Sequence, residues 1–438
     1  MAMAQAAASS IGAHQLLVFL LQIGLLLGAA ILLGRLAAKA KLPPLVGELT
    51  AGVLLGPSVF GNLLPDVSRW LLPQEPGQMQ LLSAVAQLGL LLLVAVTGAH
   101  VDLGLIRRRR RAIGLVSVGS VALPLALGCL LGFLLPDALM AQGANRGAFA
   151  LFVGVAIAVS ALPVISKTLL DMGLMHRDVG QMTIGAAAVS DVIGWLLLSV
   201  VSAMVTSSAV SAGVIFRTVG YLLAVLVLTV LVMRPAARWL LRRAERSGQP
   251  GLGVAVIVVL VVLAAAGTHA LGLEPILGAF LGGLIISSLG APVRRVLDSM
   301  RPLIMAALVP LYFVMAGLRV ELSAFGDPAI LLATAVTILV ATLAKFAGGY
   351  AGARLGRIGH REALAIGAGL NARGVVEIVV ATVGLQLGIL TSATYAIVVL
   401  LAVLTSVMAP PMLRLTLKRT PASVAEQERE REFIHRFA

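Results

Sequence analysis

Charge is scarce in this chain. Asp, Glu, Lys and Arg make up 12% of its 438 residues, about half of the roughly 25% that soluble domains carry. With 59% hydrophobic residues and a mean hydropathy of +1.03, the chain cannot cover its own apolar surface for water. A soluble globular domain is excluded. Cysteine is almost missing too: Cys129 stands alone inside an apolar run, which rules out a disulfide framework and a cysteine-based metal centre. There is no Walker loop and no GxGxxG, so nucleotide-driven work has no support. No metal-ligand cluster or nucleophile–base pair stands out, and the 6 histidines do not converge in sequence, so an enzyme is not expected. The ten-residue alternating segments of a membrane β-barrel are also missing.

What is present is a series of apolar runs, each near the 20 residues that cross hydrocarbon as a helix. Thirteen spans are expected, at 14–34, 43–62, 80–101, 112–135, 147–171, 178–206, 211–233, 251–270, 273–289, 301–320, 328–353, 361–388 and 392–417. The N-terminal stretch MAMAQAAASSIGAHQ lacks the positive n-region of a signal peptide, so the first run is expected to be retained. The tail, 421–438, is short and of mixed charge, too small for a nucleotide-binding regulatory domain.

The net charge of +14 raises the question of nucleic acid, but its distribution points to membrane topology. Odd-numbered connections hold Arg35, Lys39 and Lys41, then Arg107 to Arg111, Lys167 and Arg177, Arg234 to Arg246, Arg294, Arg295 and Arg301, and Arg354, Arg357 and Arg361. Even-numbered connections hold only Arg69, Arg146, Arg217 and Arg319. By the positive-inside rule the N-terminus lies outside and the C-terminus in the cytoplasm, which needs an odd number of spans. The five-arginine run at 107–111 reads as an anchor on anionic lipid, not as a nucleic-acid patch.

Two spans are interrupted. The fifth reads GVAIAVSALPVISKTLL, and Pro163 is expected to break it near Ser160, since proline removes a donor and clashes with the turn before it. The twelfth reads AIGAGLNARGVVEIVVATVG, where Gly369, Asn371, Arg373 and Gly374 interrupt the apolar pattern. Freed backbone groups at membrane depth are tolerated around a cavity or a site. Seven spans apart, the two broken helices run in opposite directions, the layout of an inverted repeat with a binding site at the crossing.

The charges at membrane depth are few: Asp191 and Glu377, Lys345 and Arg373, with Glu48 nearer a helix end. Intramembrane charges are functional sites by default. Asp191 lies roughly 20 Å along its span at 1.5 Å per residue. Lys345 is expected to pair with it, lowering the cost of burying both. Ser190 offers a hydroxyl oxygen beside the carboxylate, and hard cations take oxygen ligands. Arg373 and Glu377 at i and i+4 are expected to face each other and to steady the second break. His269 reads as an outer loop residue.

At this point the residues resemble a known family. LPPLVGELTAGVLLGPSVFG, LGLLLLVAVTGAHVDL, AIAVSALPVISKTLLDMGL, ILGAFLGGLI, VPLYFVMAGLRVEL and GLNARGVVEIVV are similar to successive spans of the monovalent cation:proton antiporters of the second branch, the Kef-type and NapA-type exchangers. The resemblance implies an all-α inverted-repeat membrane fold of the NhaA/NapA kind with two broken crossing helices. It implies a homodimer in the plasma membrane, with a mobile core (112–206 and 328–417) and a scaffold (14–62 and 211–289) within an exchanger domain at 1–420. Na⁺ or K⁺ and H⁺ would be its cargo, and no cofactor is implied. Asp191 falls on the aspartate that binds cation and proton in turn, Lys345 on its counter-charge, and Ser160, Pro163, Asn371, Arg373 and Glu377 on the broken-helix motifs. Many relatives have Asn-Asp or Asp-Asp where this chain has Ser190-Asp191, which leaves electrogenicity open. A related fold carries organic solutes with sodium; around the breaks here the polar side chains are few, chiefly Ser160, Ser166 and Asn371.

Overall fold

The computed structural model describes residues 12–40, 42–72, 76–99, 109–172, 174, 177–206, 212–249, 251–417 and 426. Among these the chain is helical, with no strand beyond an isolated bridge between Met140 and Leu390. Ten described helices are long and apolar enough to cross a membrane, and three shorter apolar ones accompany them. The ten fall on ten of the expected spans, and the three shorter helices lie within the expected fifth, ninth and twelfth.

Residues up to Leu90 together with Pro302–Glu321 form one unit, and Leu91–Arg301 with the chain from Leu322 onward form another. In the first unit, α1 (Ala13–Lys39) and α2 (Pro44–Leu55) precede two short helices, α3 (Phe60–Leu63) and α4 (Pro65–Leu71). α5 (Pro76–Ala99) begins in this unit, and the later helix α15 (Val309–Leu318) packs on α2. That packing is close because Gly52 and Gly317 lie against each other's backbones. Glu48 lies one turn in from the start of α2, nearer that end as expected, with its side chain against Gly34 of α1.

The second unit holds two triads of the same design. The first is α6 (Arg110–Leu134), the broken pair α7 (Arg146–Ala158) and α8 (Leu162–Asp171), and α9 (Asp178–Thr206). The second is α16 (Pro328–Leu355), the broken pair α17 (His360–Leu370) and α18 (Val375–Gln386), and α19 (Ser392–Leu417). Their starts are chemically defined. The Asn145 side chain accepts from the backbone of Gly147 at 2.8 Å, and Asp327 accepts from Ala329 at 2.8 Å, each satisfying a donor that a helix start leaves unpaired. The two triads meet first along α6 and α16. Here Gly119 faces Gly348, and a Cβ on Gly348 would collide with the Gly119 carbonyl oxygen. Small residues are what let membrane helices approach this closely.

Between the triads, α10 (Ala212–Leu228) runs through a π-turn at Thr229–Met233 straight into α11 (Arg234–Arg246). The expected span ended at 233 with its arginines in a connection; instead the helix continues. The π-turn widens the ladder just before Pro235, so the proline's missing donor and its ring are accommodated. α12 (Leu252–Ala270) and α13 (Pro275–Ser288) follow. His269 lies in the last turn of α12, not in a loop. Then α14 (Ala291–Leu303) leads through a second π-turn, Ile304–Leu308, into α15, so the expected start at 301 falls inside a helix.

Candidate functional site

Both interrupted helices break where the sequence calls for it, but the details differ. The first break is Val159–Ala161, and Pro163 is the second residue of α8 rather than the end of α7. Proline suits the first turn of a helix, where its missing N–H is not needed. The side chains of Pro163 and Ser166 lie outside the described residues, as do residues 101–108 and, except for Glu426, the tail. The second break is Asn371–Gly374.

The two breaks touch. The Ser160 hydroxyl donates to the Leu370 carbonyl at 3.5 Å, and the Ala161 N–H donates to the Ala372 carbonyl at 3.4 Å. α16 stitches the second break from the other side: the Asn371 amide donates to the Thr342 carbonyl at 3.3 Å and Arg373 Nη2 to the Ala341 carbonyl at 2.9 Å. Ser406 on α19 donates to the Arg373 carbonyl. Freed backbone groups at the crossing are thus partnered largely by protein, as hydrocarbon surroundings demand.

Around this crossing lie Asp191, Lys345, Arg373 and Glu377, none more than 1% exposed. Asp191 interacts electrostatically with Glu377 and Lys345, and the backbone of Leu162 hydrogen-bonds to its carboxyl group. Leu162 opens α8, so the aspartate sits at a helix N-terminus. Glu377 Oε2 accepts from the Gly374 N–H at 2.8 Å, at the start of α18. Lys345 Nζ donates to the carbonyl of Ala158, the last residue of α7. Acids at half-helix starts and an amine at a half-helix end is the arrangement that aligned peptide dipoles favour.

This corrects two expected contacts. Asp191 and Lys345 form no direct salt bridge; the amine bonds to the Ala158 carbonyl and feels the carboxylate across the cluster. Arg373 and Glu377 do not face each other as helical neighbours. Arg373 lies in the break and Glu377 in the first turn of α18, so the i, i+4 rule has no helix to act on.

The Ser190 hydroxyl is buried beside Asp191 and lies 3.3 Å from Ser120 Oγ on α6. Ser120 was not singled out from the sequence, nor were the Ala158 carbonyl and the Leu162 N–H. A signal existed for Ser120: it occupies the first helix of its triad, as Lys345 does in the second. Asp191 Oδ1, Asn371 Oδ1 and Glu377 Oε1 are all buried oxygens that accept no hydrogen bond. Oxygen donors of this kind suit an alkali cation and would not hold a soft transition metal. Among the described residues no cluster of His, Cys, Asp and Glu has the makings of a resident metal site.

Comparison with known proteins agrees with this architecture. Residues 25–419 match the family model described as "Sodium/hydrogen exchanger, transmembrane". The chain is 27% identical over 406 residues to the Na⁺/H⁺ antiporter NhaS4 of Synechocystis sp., covering 91% of this chain and 97% of that protein. It is 30% identical over 413 residues to K⁺/H⁺ antiporter 1 of Saccharomyces cerevisiae, covering 91% of this chain but 46% of that one. The chain spans about half the length of several such relatives. The structure of the sodium proton antiporter MjNhaP1 from Methanocaldococcus jannaschii superposes with a TM-score of 0.67 at 16% identity, covering 95% and 99% of the two chains. The fold is therefore that of an all-helical, multi-pass integral membrane protein. The chain belongs to the sodium/hydrogen exchanger family.

Proposed function

We propose that the protein is a secondary antiporter, not an enzyme, exchanging a monovalent cation, Na⁺ or K⁺, for protons by alternating access and without a bound cofactor. The observation that carries this reading is the buried crossing: Asp191, with one oxygen unbonded, lies in a cluster with Lys345 and Glu377 at the contact of two broken helices. Ionised, the two acids balance Lys345 and Arg373. A cation or a proton on Asp191 adds the same single positive charge, so the two ligands are equivalent to the cluster and compete for one carboxylate. That equivalence gives exchange without ATP.

Ser190 supplies an oxygen ligand and Lys345 the counter-charge that keeps empty Asp191 affordable in a medium where a lone carboxylate is costly. Ser160, Pro163, Asn371, Arg373 and Glu377 hold the breaks. Relatives named as Na⁺/H⁺ and K⁺/H⁺ antiporters support the class of cargo. The remaining parts of the reading follow from it: a homodimer in the plasma membrane, N-terminus outside and C-terminus cytoplasmic, rocking a core of the two triads against a scaffold.

The test is proton flux in proteoliposomes with an imposed pH gradient, adding Na⁺, K⁺, Li⁺ or choline in turn. Wild type is expected to dissipate the gradient with at least one alkali ion and not with choline, and Asp191→Asn with none. A wild-type response from Asp191→Asn would overturn the assignment of the carboxylate. Silence of the wild type with all three ions would overturn the exchange itself.

A further inference from the structure

Away from the crossing, α11 carries a feature that exchange does not use. Its sequence, RPAARWLLRRAER, buries Ala237, Leu241 and Ala244 along one stripe, at the i, i+4, i+7 spacing of a helix face. The opposite side presents Arg234, Arg238, Arg242, Arg243 and Arg246 together with Trp239, and these line an open groove of about 660 Å³. Arg243 stacks its guanidinium 5.7 Å from the Trp239 ring centroid. Among the described residues none of these arginines makes an ion pair with a carboxylate, while Arg109, Arg146 and Arg177 all do.

The groove's other wall is apolar. Val230 and Leu231 line it from the π-turn above, and both are largely exposed, at 56% and 67%. One surface therefore passes, within a single continuous helix, from hydrocarbon-like side chains at Val230 and Leu231 to guanidiniums from Arg234 to Arg246, with the exposed Trp239 set among them. The step from apolar side chains to cations matches a lipid monolayer from acyl chain to headgroup, and an exposed tryptophan suits the headgroup level. From Arg234 to Arg246 the helix rises roughly 18 Å, more than one phosphate spans, and the guanidinium fork binds phosphate oxygens in pairs.

We propose that this groove is a binding site for anionic phospholipid. The phosphate is held by Arg238 and Arg242 with Arg234, Arg243 and Arg246 around it, and the acyl chains lie on Val230 and Leu231. Charge complementarity selects an anion, and the apolar wall selects one with hydrocarbon attached over a free phosphate. The acidic residues of the C-terminal tail are the competing occupant within the chain, but Glu426 is engaged elsewhere, on Arg177 at 3.6 Å and on the backbone N–H of Asp178 at 2.8 Å.

The site is tested on the full-length protein in detergent micelles, independently of transport. Phosphatidylglycerol with brominated acyl chains is titrated while Trp fluorescence is followed, with phosphatidylcholine and inorganic phosphate as parallel arms. Phosphatidylglycerol is expected to quench Trp239, identified by loss of that quenching in Trp239→Phe. Arg238→Gln with Arg242→Gln is expected to raise the apparent Kd about tenfold, while Arg110→Gln with Arg111→Gln leaves it unchanged. Native mass spectrometry is expected to count fewer retained anionic lipids on the Arg238/Arg242 variant. Equal quenching by phosphatidylcholine, an unchanged Kd in that variant, or competition by millimolar inorganic phosphate would each overturn the proposal.

Discussion

Asp191 is buried, has one oxygen without a hydrogen bond and shares its surroundings with a second acid. Under the proposed exchange, the protein must also stay folded with this group protonated and neutral. Asp191→Asn is therefore expected to leave thermal stability in detergent close to that of wild type while abolishing cation binding. Glu377 differs, because it holds the Gly374 N–H and compensates Arg373. Glu377→Gln keeps an acceptor but deletes the charge, and leaving buried cations uncompensated is expected to cost about 3 kcal/mol, read as a lowered unfolding midpoint. Equal stability of the two variants would contradict this division of roles. The acids and bases themselves were legible in the sequence, since an ionisable side chain in an apolar run announces itself. Their partners were not: Lys345 meets the Ala158 carbonyl and Asp191 the Leu162 backbone, and backbone groups carry no sequence signature.

At the scale of elements, the half-helix ends organise the site by direction. α7 ends on the Lys345 ammonium, and α8 and α18 begin on carboxylates, so reversing any one charge would oppose a helix dipole. The site also depends on how near α6 and α16 can come, because Ser120 on one and Lys345 on the other project from that contact region. Gly348→Val is expected to force the helices apart at a cost of about 1–3 kcal/mol, seen as aggregation on fluorescence-detected size-exclusion chromatography, although no ionisable group is touched. A monodisperse, fully stable variant would show that the close approach is dispensable. The two breaks were readable from Pro163, Asn371 and the glycines around them. Their exact positions were not, because a helical spacing such as Arg373 to Glu377 holds only if the helix continues through it. The extension of α10 into α11 was missed for the converse reason: arginines suggested a connection, yet their i, i+4 spacing over buried alanines and leucine is that of an amphipathic helix.

For the whole molecule, the account rests on one carboxylate serving two ligands. Cation and proton then compete, with a fixed sign. As pH falls, more of the population carries a proton on Asp191, and the apparent Kd for the cation rises. The two triads have the same element order, as two-sided access requires. That duplication was visible before the structure as two interrupted spans seven apart. The most direct measurement is proton release on cation binding by the purified protein in weakly buffered solution, titrated with Na⁺ and then with K⁺. The account predicts protons released in step with cation bound for wild type, and neither binding nor release for Asp191→Asn. Cation binding without proton release, or undiminished release from Asp191→Asn, would contradict it.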